Sequence, residues 1–278
     1  MKRLLVTGSS GTIGTALSEA LIKSGFEVIG VDRRKNIWSP AVQKRTIILD
    51  LLKPQLFKKL PPRVDLVIHL AAHARVYNLV KEPRLALENI ATAFNVLEWA
   101  RTHHVPRFLF ASNSASKMSG EAMTHAYRQS YGMKTVIVRF SNVYGRYDES
   151  DRFVPLVTKK LLARQPITIF GKDKELDFTY IDDCVAGLLQ LVKKFDTMNG
   201  RTFNLSSGET FRLIDVAKIL GKLLGIKAVI KTAANRPGEV LKYCGDISPA
   251  RRLFGFSPKF SLEKGMTAAA EWYKKLYK

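Results

Sequence analysis

Three glycines near the start of the chain have the spacing of a phosphate-binding turn. They lie in Thr7-Gly8-Ser9-Ser10-Gly11-Thr12-Ile13-Gly14, after an apolar run at 4–6 and before an amphipathic one. This order indicates a strand, a glycine-rich turn and a helix. The first N–H groups of a helix have no intrahelical partner and carry a partial positive charge, and glycine lets backbone approach phosphate closely. The segment predicts a pyrophosphate site; the alternative is a turn that binds no ligand.

An acidic residue, Asp32, ends the next apolar run, 27–32. A carboxylate at the end of a second strand can accept hydrogen bonds from the hydroxyls of an adenosine ribose and repels a 2′-phosphate. This position favours NAD over NADP. The basic segment Arg33-Arg34-Lys35 follows at once and could hold a 2′-phosphate, so NADP is the alternative.

The elements that must position these residues alternate between strand and helix. Apolar runs predict strands at 4–6, 27–32, 46–50, 64–70, 107–111 and 135–140, with helices near 84–104 and 117–132. This order predicts a Rossmann-type, doubly wound parallel α/β sheet with its ligand at the carboxyl ends of the strands. On the helix near 84–104 one apolar stripe comprises Leu87, Ile90, Phe94 and Leu97.

The second half is less regular and predicts a smaller α/β lobe. Helices are expected near 151–164 and 211–224, and strands at 166–171 and 178–181. The pair Asp182-Asp183 is expected to cap an amphipathic helix. Asp50, at the end of the third predicted strand, either meets the adenine or caps the helix before Lys53-Pro54.

Composition limits the partners. The 278 residues carry 45 Lys and Arg against 24 Asp and Glu, a formal net charge of +21. These charges come in scattered pairs without a dense basic tract, which indicates solvated helix faces and argues against nucleic acid as the partner. No apolar run is long enough to cross a membrane and no signal peptide precedes the first strand, so a cytoplasmic protein is expected.

Neither cysteine nor histidine suggests a metal site. Cys184 and Cys244 are far apart without metal-binding spacing, which favours a reducing compartment. His103 and His104 are adjacent and therefore point to different parts of a helix surface.

Taken in order, the motifs resemble the extended short-chain dehydrogenase/reductases, in the branch of NAD-dependent nucleotide-sugar epimerases and dehydratases. They cover nearly the whole chain and comprise the glycine turn, Asp32, Asp50-Leu51, His69-Leu70-Ala71-Ala72, Asn89, Phe110-Ala111-Ser112, Ser116-Lys117, Arg139-Phe140-Ser141-Asn142-Val143-Tyr144-Gly145, Asp177-Phe178-Thr179-Tyr180-Ile181-Asp182-Asp183 and Arg236-Pro237-Gly238-Glu239.

The resemblance implies a reaction. Bound NAD oxidises the C4 hydroxyl of a nucleotide sugar to a ketone, which is then processed. The leading expectation is a 4-epimerase of the UDP-glucose/UDP-galactose kind. The alternatives are a UDP-glucuronate epimerase or decarboxylase, a dTDP-glucose 4,6-dehydratase, or a catalytically silent protein that binds NAD or a nucleotide sugar.

The resemblance also implies a domain organisation and site residues. It implies an NAD-binding domain over 1–145, to which 178–205 return, and a nucleotide-sugar lobe over 146–177 and 206–278, in a homodimer paired through the helices near 84–104 and 117–132. The cofactor residues are expected to be Gly8, Gly11, Thr12, Ile13, Gly14, Asp32, Asp50, Leu51, Leu70, Ala71, Ala72, Asn89 and Lys117. The residues expected at the substrate are Asn142, Arg236 and Glu239.

The sequence departs from the family at the catalytic tyrosine. The family has a segment between the fifth strand and its Tyr-x-x-x-Lys motif, in which the lysine lowers the tyrosine pKa. Here the strand runs directly into Ser112-Asn113-Ser114-Ala115-Ser116-Lys117, and the tyrosine position falls on Asn113. Lys117 is the expected catalytic lysine, and Ser112 and Ser114 could supply a hydroxyl. The tyrosines that could substitute are Tyr77, Tyr127 and Tyr144.

A second departure is Leu176. The family has an arginine before the Asp-Phe pair that holds the phosphates of the nucleotide, and leucine cannot form that ion pair.

Overall fold

The computed structural model describes residues 2–112 and 115–277. Its strands are β1 (Arg3–Thr7), β2 (Glu27–Asp32), β3 (Thr46–Ile48), β4 (Leu66–His69), β5 (Arg107–Ser112), β6 (Lys134–Phe140), β7 (Asn142–Tyr144), β8 (Ile167–Phe170), β9 (Glu175–Tyr180), β10 (Thr202–Leu205), β11 (Thr210–Arg212), β12 (Ile230–Ala233) and β13 (Lys242–Tyr243). Its α-helices are α1 (Thr12–Lys23), α2 (Pro40–Gln43), α3 (Val76–Lys81), α4 (Arg84–Thr102), α5 (Ala115–Tyr131), α6 (Phe153–Leu162), α7 (Ile181–Lys193), α8 (Leu213–Leu224), α9 (Ser248–Phe254) and α10 (Leu262–Leu276).

A seven-stranded sheet in the order β10-β6-β5-β4-β1-β2-β3 confirms the predicted Rossmann-type architecture. Each neighbouring pair from β6 to β3 is parallel. The strand order changes direction at β1, which pairs with β2 on one side and β4 on the other. Ligands of open α/β sheets bind beyond the carboxyl ends of the strands at such a switch point. Thr7 and His69 face each other there.

Central strands of this sheet are buried on both faces. Leu5, Val67 and Phe108 have no exposed side-chain area, as expected for the continuous apolar runs of a parallel sheet. Helix α4 covers one face through Ala93, Leu97 and other buried residues.

The apolar stripe predicted on α4 does not all face the core. Leu97 is buried, but Leu87 is 66% and Phe94 47% exposed. A helical spacing groups these side chains on neighbouring parts of the surface, and the sequence alone does not say which of them the sheet covers.

The chain divides into two compact units, Met1–Phe140 with Gly187–Phe203, and Ser141–Ala186 with Asn204–Lys278. The second unit centres on β9, which pairs in parallel with β7 and β13 and antiparallel with β11. Strands β8 and β12 form a separate parallel pair. Helices α6, α8 and α10 pack against one another.

Two local expectations in the second half are corrected. Helix α8 begins at Leu213, because 210–212 form strand β11 instead of its first turn. Helix α7 begins at Ile181, so Asp182 and Asp183 lie in its first turn and do not precede it. The Asp183 carboxylate accepts main-chain hydrogen bonds from Lys259 and Phe260, at 2.8 and 3.0 Å.

Candidate functional site

The glycine turn joins β1 to α1 at the switch point. The Gly8 N–H donates to the Val31 carbonyl at 2.8 Å, and Gly8 has a φ of +74° that favours glycine. A Cβ on Gly8 would lie 2.8 Å from the Ala71 nitrogen, and one on Gly14 would lie 1.9 Å from the Gly8 carbonyl oxygen. The turn therefore needs glycine at both positions for close backbone packing.

Helix α1 opens directly at this turn. Gly11 is its N-cap, and the first turn, which contains Thr12 and Ile13, has no acidic residue. Negative charge near a helix N-terminus is stabilised by the helix dipole and by the N–H groups of the first turn. The geometry fits an anion such as a pyrophosphate group.

The Asp32 carboxylate lies beside the turn. One oxygen accepts the Ser10 N–H and the other the Arg34 N–H, each at 3.0 Å. A carboxylate oxygen has two lone-pair directions, so both oxygens can accept a further hydroxyl. The backbone thus fixes the orientation of the acid that the sequence assigns to the ribose.

The segment after β4 completes this side of the sheet. The N–H of Leu70 donates to the Thr7 carbonyl at 3.2 Å, and that of Ala71 to the Thr7 hydroxyl at 3.3 Å. Ala72 follows them in the chain. The buried Asn89 amide accepts the His73 N–H at 2.7 Å and donates to the His73 carbonyl at 3.0 Å. Asn89 therefore anchors the end of the segment.

Asp50 and Leu51 lie in a turn after β3. The Asp50 carboxylate accepts the Leu52 N–H at 3.0 Å. This is an Asx turn, and the short 3₁₀ helix Pro54–Lys59 has Lys53 as its N-cap. The alternative that Asp50 caps this helix is wrong. Leu51 is buried, and its carbonyl accepts the Asn95 amide at 2.8 Å.

Lys117 is buried in the first turns of α5. Its ammonium group donates to the Ala111 carbonyl at 2.6 Å and lies 5.4 Å from the centre of the Phe110 ring. Burial lowers the pKa of Lys117 to about 7. Burial, and secondarily the Lys117 charge, lowers the pKa of His69 to about 3, so that imidazole is neutral.

Ser112 is buried at the end of β5, and its hydroxyl hydrogen-bonds to the Glu121 carboxylate. Glu121 also accepts two bonds from the Arg139 guanidinium, at 3.0 and 2.6 Å. This ion pair joins α5 to β6. Ser114 and Asn113 lie outside the described residues.

Two of the tyrosines proposed as substitutes lack the acidity of a base. Burial, and then the bond to Glu98 at 2.7 Å, raises the pKa of Tyr127 above its ordinary range. Burial and the neighbouring Tyr180 raise the pKa of Tyr144. Both shifts stabilise the neutral phenol. Tyr77 is 41% exposed on α3.

In the second unit, Arg236 and Glu239 are brought together by a turn. The Glu239 N–H donates to the Arg236 carbonyl at 3.2 Å, with Pro237 second in the turn and Gly238 third at a φ of +77°. This is the sequence and geometry of a type II turn. The Arg236 guanidinium carbon lies 3.9 Å from the centre of the Phe170 ring. Asn142 belongs to another cluster, because its amide donates to the Asp177 carbonyl at 3.0 Å.

Asp177 holds that cluster together, a role that sequence reasoning missed. The side chain is fully buried, and its two oxygens accept bonds from Ser141, Ser207, Gly208 and Gly245 at 2.8–3.3 Å. Its donors are distant in sequence, so only its place in the Asp-Phe-Thr motif could have suggested it.

Across the described ranges, no three His, Cys, Asp or Glu side chains could together hold a metal ion. Nor does any helix in those ranges combine the length and apolar character needed to cross a membrane.

A sequence model of the NAD dependent epimerase/dehydratase family matches residues 4–115 and 113–206. The chain belongs to this family. The two matched pieces meet at 113–115, where the sequence lacks the tyrosine segment. NAD is the cofactor of the family, in agreement with the preference for NAD drawn from Asp32.

Relatives are similar along their whole length. An uncharacterized UDP-glucose epimerase of Bacillus subtilis is 31% identical over 99% of both chains. UDP-glucuronate 4-epimerase 1 of Arabidopsis thaliana is 31% identical over 99% of this chain and 77% of its own. The structure of UDP-glucose 4-epimerase from Thermotoga maritima with UDP-glucose matches with a TM-score of 0.89 and 25% identity, over 99% of this chain and 100% of that one. Together these relatives support a nucleotide-sugar epimerase or dehydratase.

The buried lysine makes a prediction about stability. In the apoprotein, Lys117→Met should increase the free energy of unfolding at pH 6 by on the order of 3 kcal/mol, since one pKa unit corresponds to about 1.4 kcal/mol. The folded pKa is about 7 and the unfolded one near 10.5. The unfolded chain therefore binds more protons between these values, wild-type stability rises with pH, and the gain should vanish toward pH 10.5.

Urea unfolding of the wild type and Lys117→Met between pH 6 and pH 10 measures this effect. Lys81→Met is the matched control, because Lys81 is exposed on α3. A stability difference that does not change with pH would contradict the prediction.

Proposed function

We propose that the chain is an NAD-dependent 4-epimerase of the UDP-glucose/UDP-galactose kind. The observation that carries the proposal is the near full-length similarity, in sequence and in fold, to UDP-glucose epimerases. In this proposal the first unit binds NAD and the second binds the nucleotide sugar.

The cofactor fits the residues that are present. The N-terminus of α1 and the glycine turn would hold its pyrophosphate, and Asp32 would accept hydrogen bonds from its adenosine ribose. NAD, when bound, supplies reversible oxidation of a sugar alcohol. Lys117 could hold or release a proton near neutral pH, because burial lowers its pKa to about 7. Ser112 is less suited to assist, because its hydroxyl is already bonded to Glu121.

The test is incubation of the protein and NAD with UDP-galactose, UDP-glucose, UDP-glucuronate and dTDP-glucose, with chromatographic analysis of the products. Interconversion of UDP-galactose and UDP-glucose is the expected result. Conversion of only one of the other two sugars would reassign the substrate to the glucuronate or dehydratase alternative. Absence of any turnover while NAD and UDP still bind would refute the enzyme proposal.

A specific observation favours a second candidate, a catalytically silent protein that binds the same ligands. The chain has no tyrosine at the family position, and the pKa values of Tyr127 and Tyr144 are raised rather than lowered. An active enzyme would need another group to take the proton from the sugar hydroxyl.

We further propose a homodimer formed through α4. Leu87 and Phe94 are two helical turns apart and exposed, and Val80 on α3 is 51% exposed. Exposed apolar side chains on one surface mark an interaction site. Leu87→Glu combined with Phe94→Glu should convert the dimer to a monomer in sedimentation equilibrium, whereas Val229→Glu, at a 57% exposed site in the second unit, should not. A wild type that is already monomeric at micromolar concentration would refute the homodimer.

A further inference from the structure

A buried lysine in the second unit accompanies the turn that carries Arg236 and Glu239. Lys174 lies between β8 and β9, and its side chain is only 4% exposed. Its ammonium group donates to one carboxylate oxygen of Glu239 at 2.7 Å. Lysine is almost never fully buried unless it is paired, so this contact accounts for its burial.

The other oxygen of Glu239 is less constrained. Its nearest cation in the described structure is the Arg236 guanidinium, at 3.8 Å. That guanidinium stacks on Phe170, which fixes its position. The Glu239 side chain is 24% exposed, so the carboxylate is oriented by Lys174 and still open to a ligand.

Hydrogen bonds also fix the backbone of this turn. The Asn235 amide donates to the Glu239 carbonyl at 2.8 Å, in addition to the Arg236–Glu239 bond of the turn. The Asn235 side-chain oxygen is buried and has no partner among the described residues. The carboxylate of Glu239 is therefore held both through its backbone and through its side chain.

Two cations and one carboxylate leave this cluster with a net charge of +1. Leu176, where the family has an arginine, adds none. The cluster can therefore attract a diphosphate, while the fixed carboxylate can accept hydrogen bonds only from donors such as hydroxyls.

We infer that Lys174 is a specificity-determining residue that holds Glu239 as an acceptor for the ribose hydroxyls of a nucleotide. This inference rests on the proposed nucleotide-sugar function and names its substrate class, a ribonucleoside diphosphate sugar rather than a deoxyribonucleoside one. A site that hydrogen-bonds a hydroxyl discriminates against the ligand that lacks it, because its polar groups lose a partner.

The experiment compares UDP with dUDP, which differ only in the 2′-hydroxyl, by isothermal titration calorimetry. The wild type should bind UDP at least about tenfold more tightly than dUDP. Lys174→Met should reduce this ratio to about threefold or less, because Glu239 can then turn toward Arg236. Lys174→Arg should retain the preference. Lys172→Met, the same change at an exposed residue of the same turn, should leave the ratio unchanged.

The outcomes separate the inference from the proposed function. A wild type that binds neither nucleotide would refute the nucleotide-sugar function. A wild type that binds UDP and dUDP equally would overturn only the assignment of Glu239 and Lys174, as would a Lys174→Met protein that keeps the full preference. If Lys174→Met does not fold, Glu239→Gln replaces it, and an unchanged UDP/dUDP ratio in that variant overturns the inference.

Discussion

Gly14→Ala is expected to reduce the affinity for NAD at least about tenfold, which corresponds to about 1.4 kcal/mol. The new Cβ would lie 1.9 Å from the Gly8 carbonyl oxygen, 2.8 Å from the Gly8 carbonyl carbon and 2.9 Å from the Ser9 Cα. All three atoms are backbone, so the turn itself must move. That movement would displace the N–H groups that are proposed to hold the pyrophosphate.

The measurement is calorimetric titration of NAD into the folded fraction of each protein. Gly25→Ala is the matched control: its Cβ would meet nothing within 4 Å, but its φ of +83° makes alanine strained by about 1–2 kcal/mol. The control should therefore lower the melting temperature and leave the NAD affinity unchanged. Wild-type affinity in Gly14→Ala would show that the glycine turn does not hold the pyrophosphate.

The two ends of the proposed reaction differ in how well the chain preserves them. Around the glycine turn, each residue that the family resemblance assigns to NAD keeps a defined place. At the end of β5, Ser112 runs directly toward α5, and Lys117 donates to the carbonyl of Ala111. In the family this lysine acts on a tyrosine and on the cofactor ribose. To do so here, it would have to leave the Ala111 carbonyl.

The sequence predicted the parallel sheet and the position of Asp32 because both depend on local patterns. Strand, turn and helix follow one another within a few residues, and parallel connection places the carboxyl ends of the strands together. The burial of Lys174 and the exposure of Leu87 were not predictable in this way. Each depends on which distant segment covers the side chain: Glu239 pairs with Lys174 from 65 residues away.

Asp50 and Asp183 illustrate a second limit. An acidic residue just before a helical pattern is a common N-cap, and the sequence supported that interpretation in both cases. In the structure, Asp50 closes its own turn and Asp183 binds the backbone at 259–260. A carboxylate satisfies whichever N–H groups lie nearest, and tertiary packing decides which these are.

Asp177→Asn is expected to destabilise the protein by about 3 kcal/mol or more. The substitution keeps the size of the side chain but replaces one acceptor oxygen with an NH₂ group. Every contact of the carboxylate is with a donor: the Ser141 and Ser207 hydroxyls and the main-chain N–H groups of Ser207, Gly208 and Gly245. The amide would therefore set donor against donor in a fully buried site, which costs more than the loss of a single exposed bond.

Urea unfolding monitored by tryptophan fluorescence measures the loss, with Asp173→Asn as the matched control at an exposed residue four positions earlier. The control should unfold within about 0.5 kcal/mol of the wild type, as surface substitutions do. Equal stability of the two variants would mean that the second unit does not depend on this carboxylate. A large loss confined to Asp177→Asn would instead show that one charge fixes β9 to the segments at 141, 207–208 and 245. These segments include Ser141, the residue before Asn142, so the same charge also positions the amide that is expected to contact the substrate.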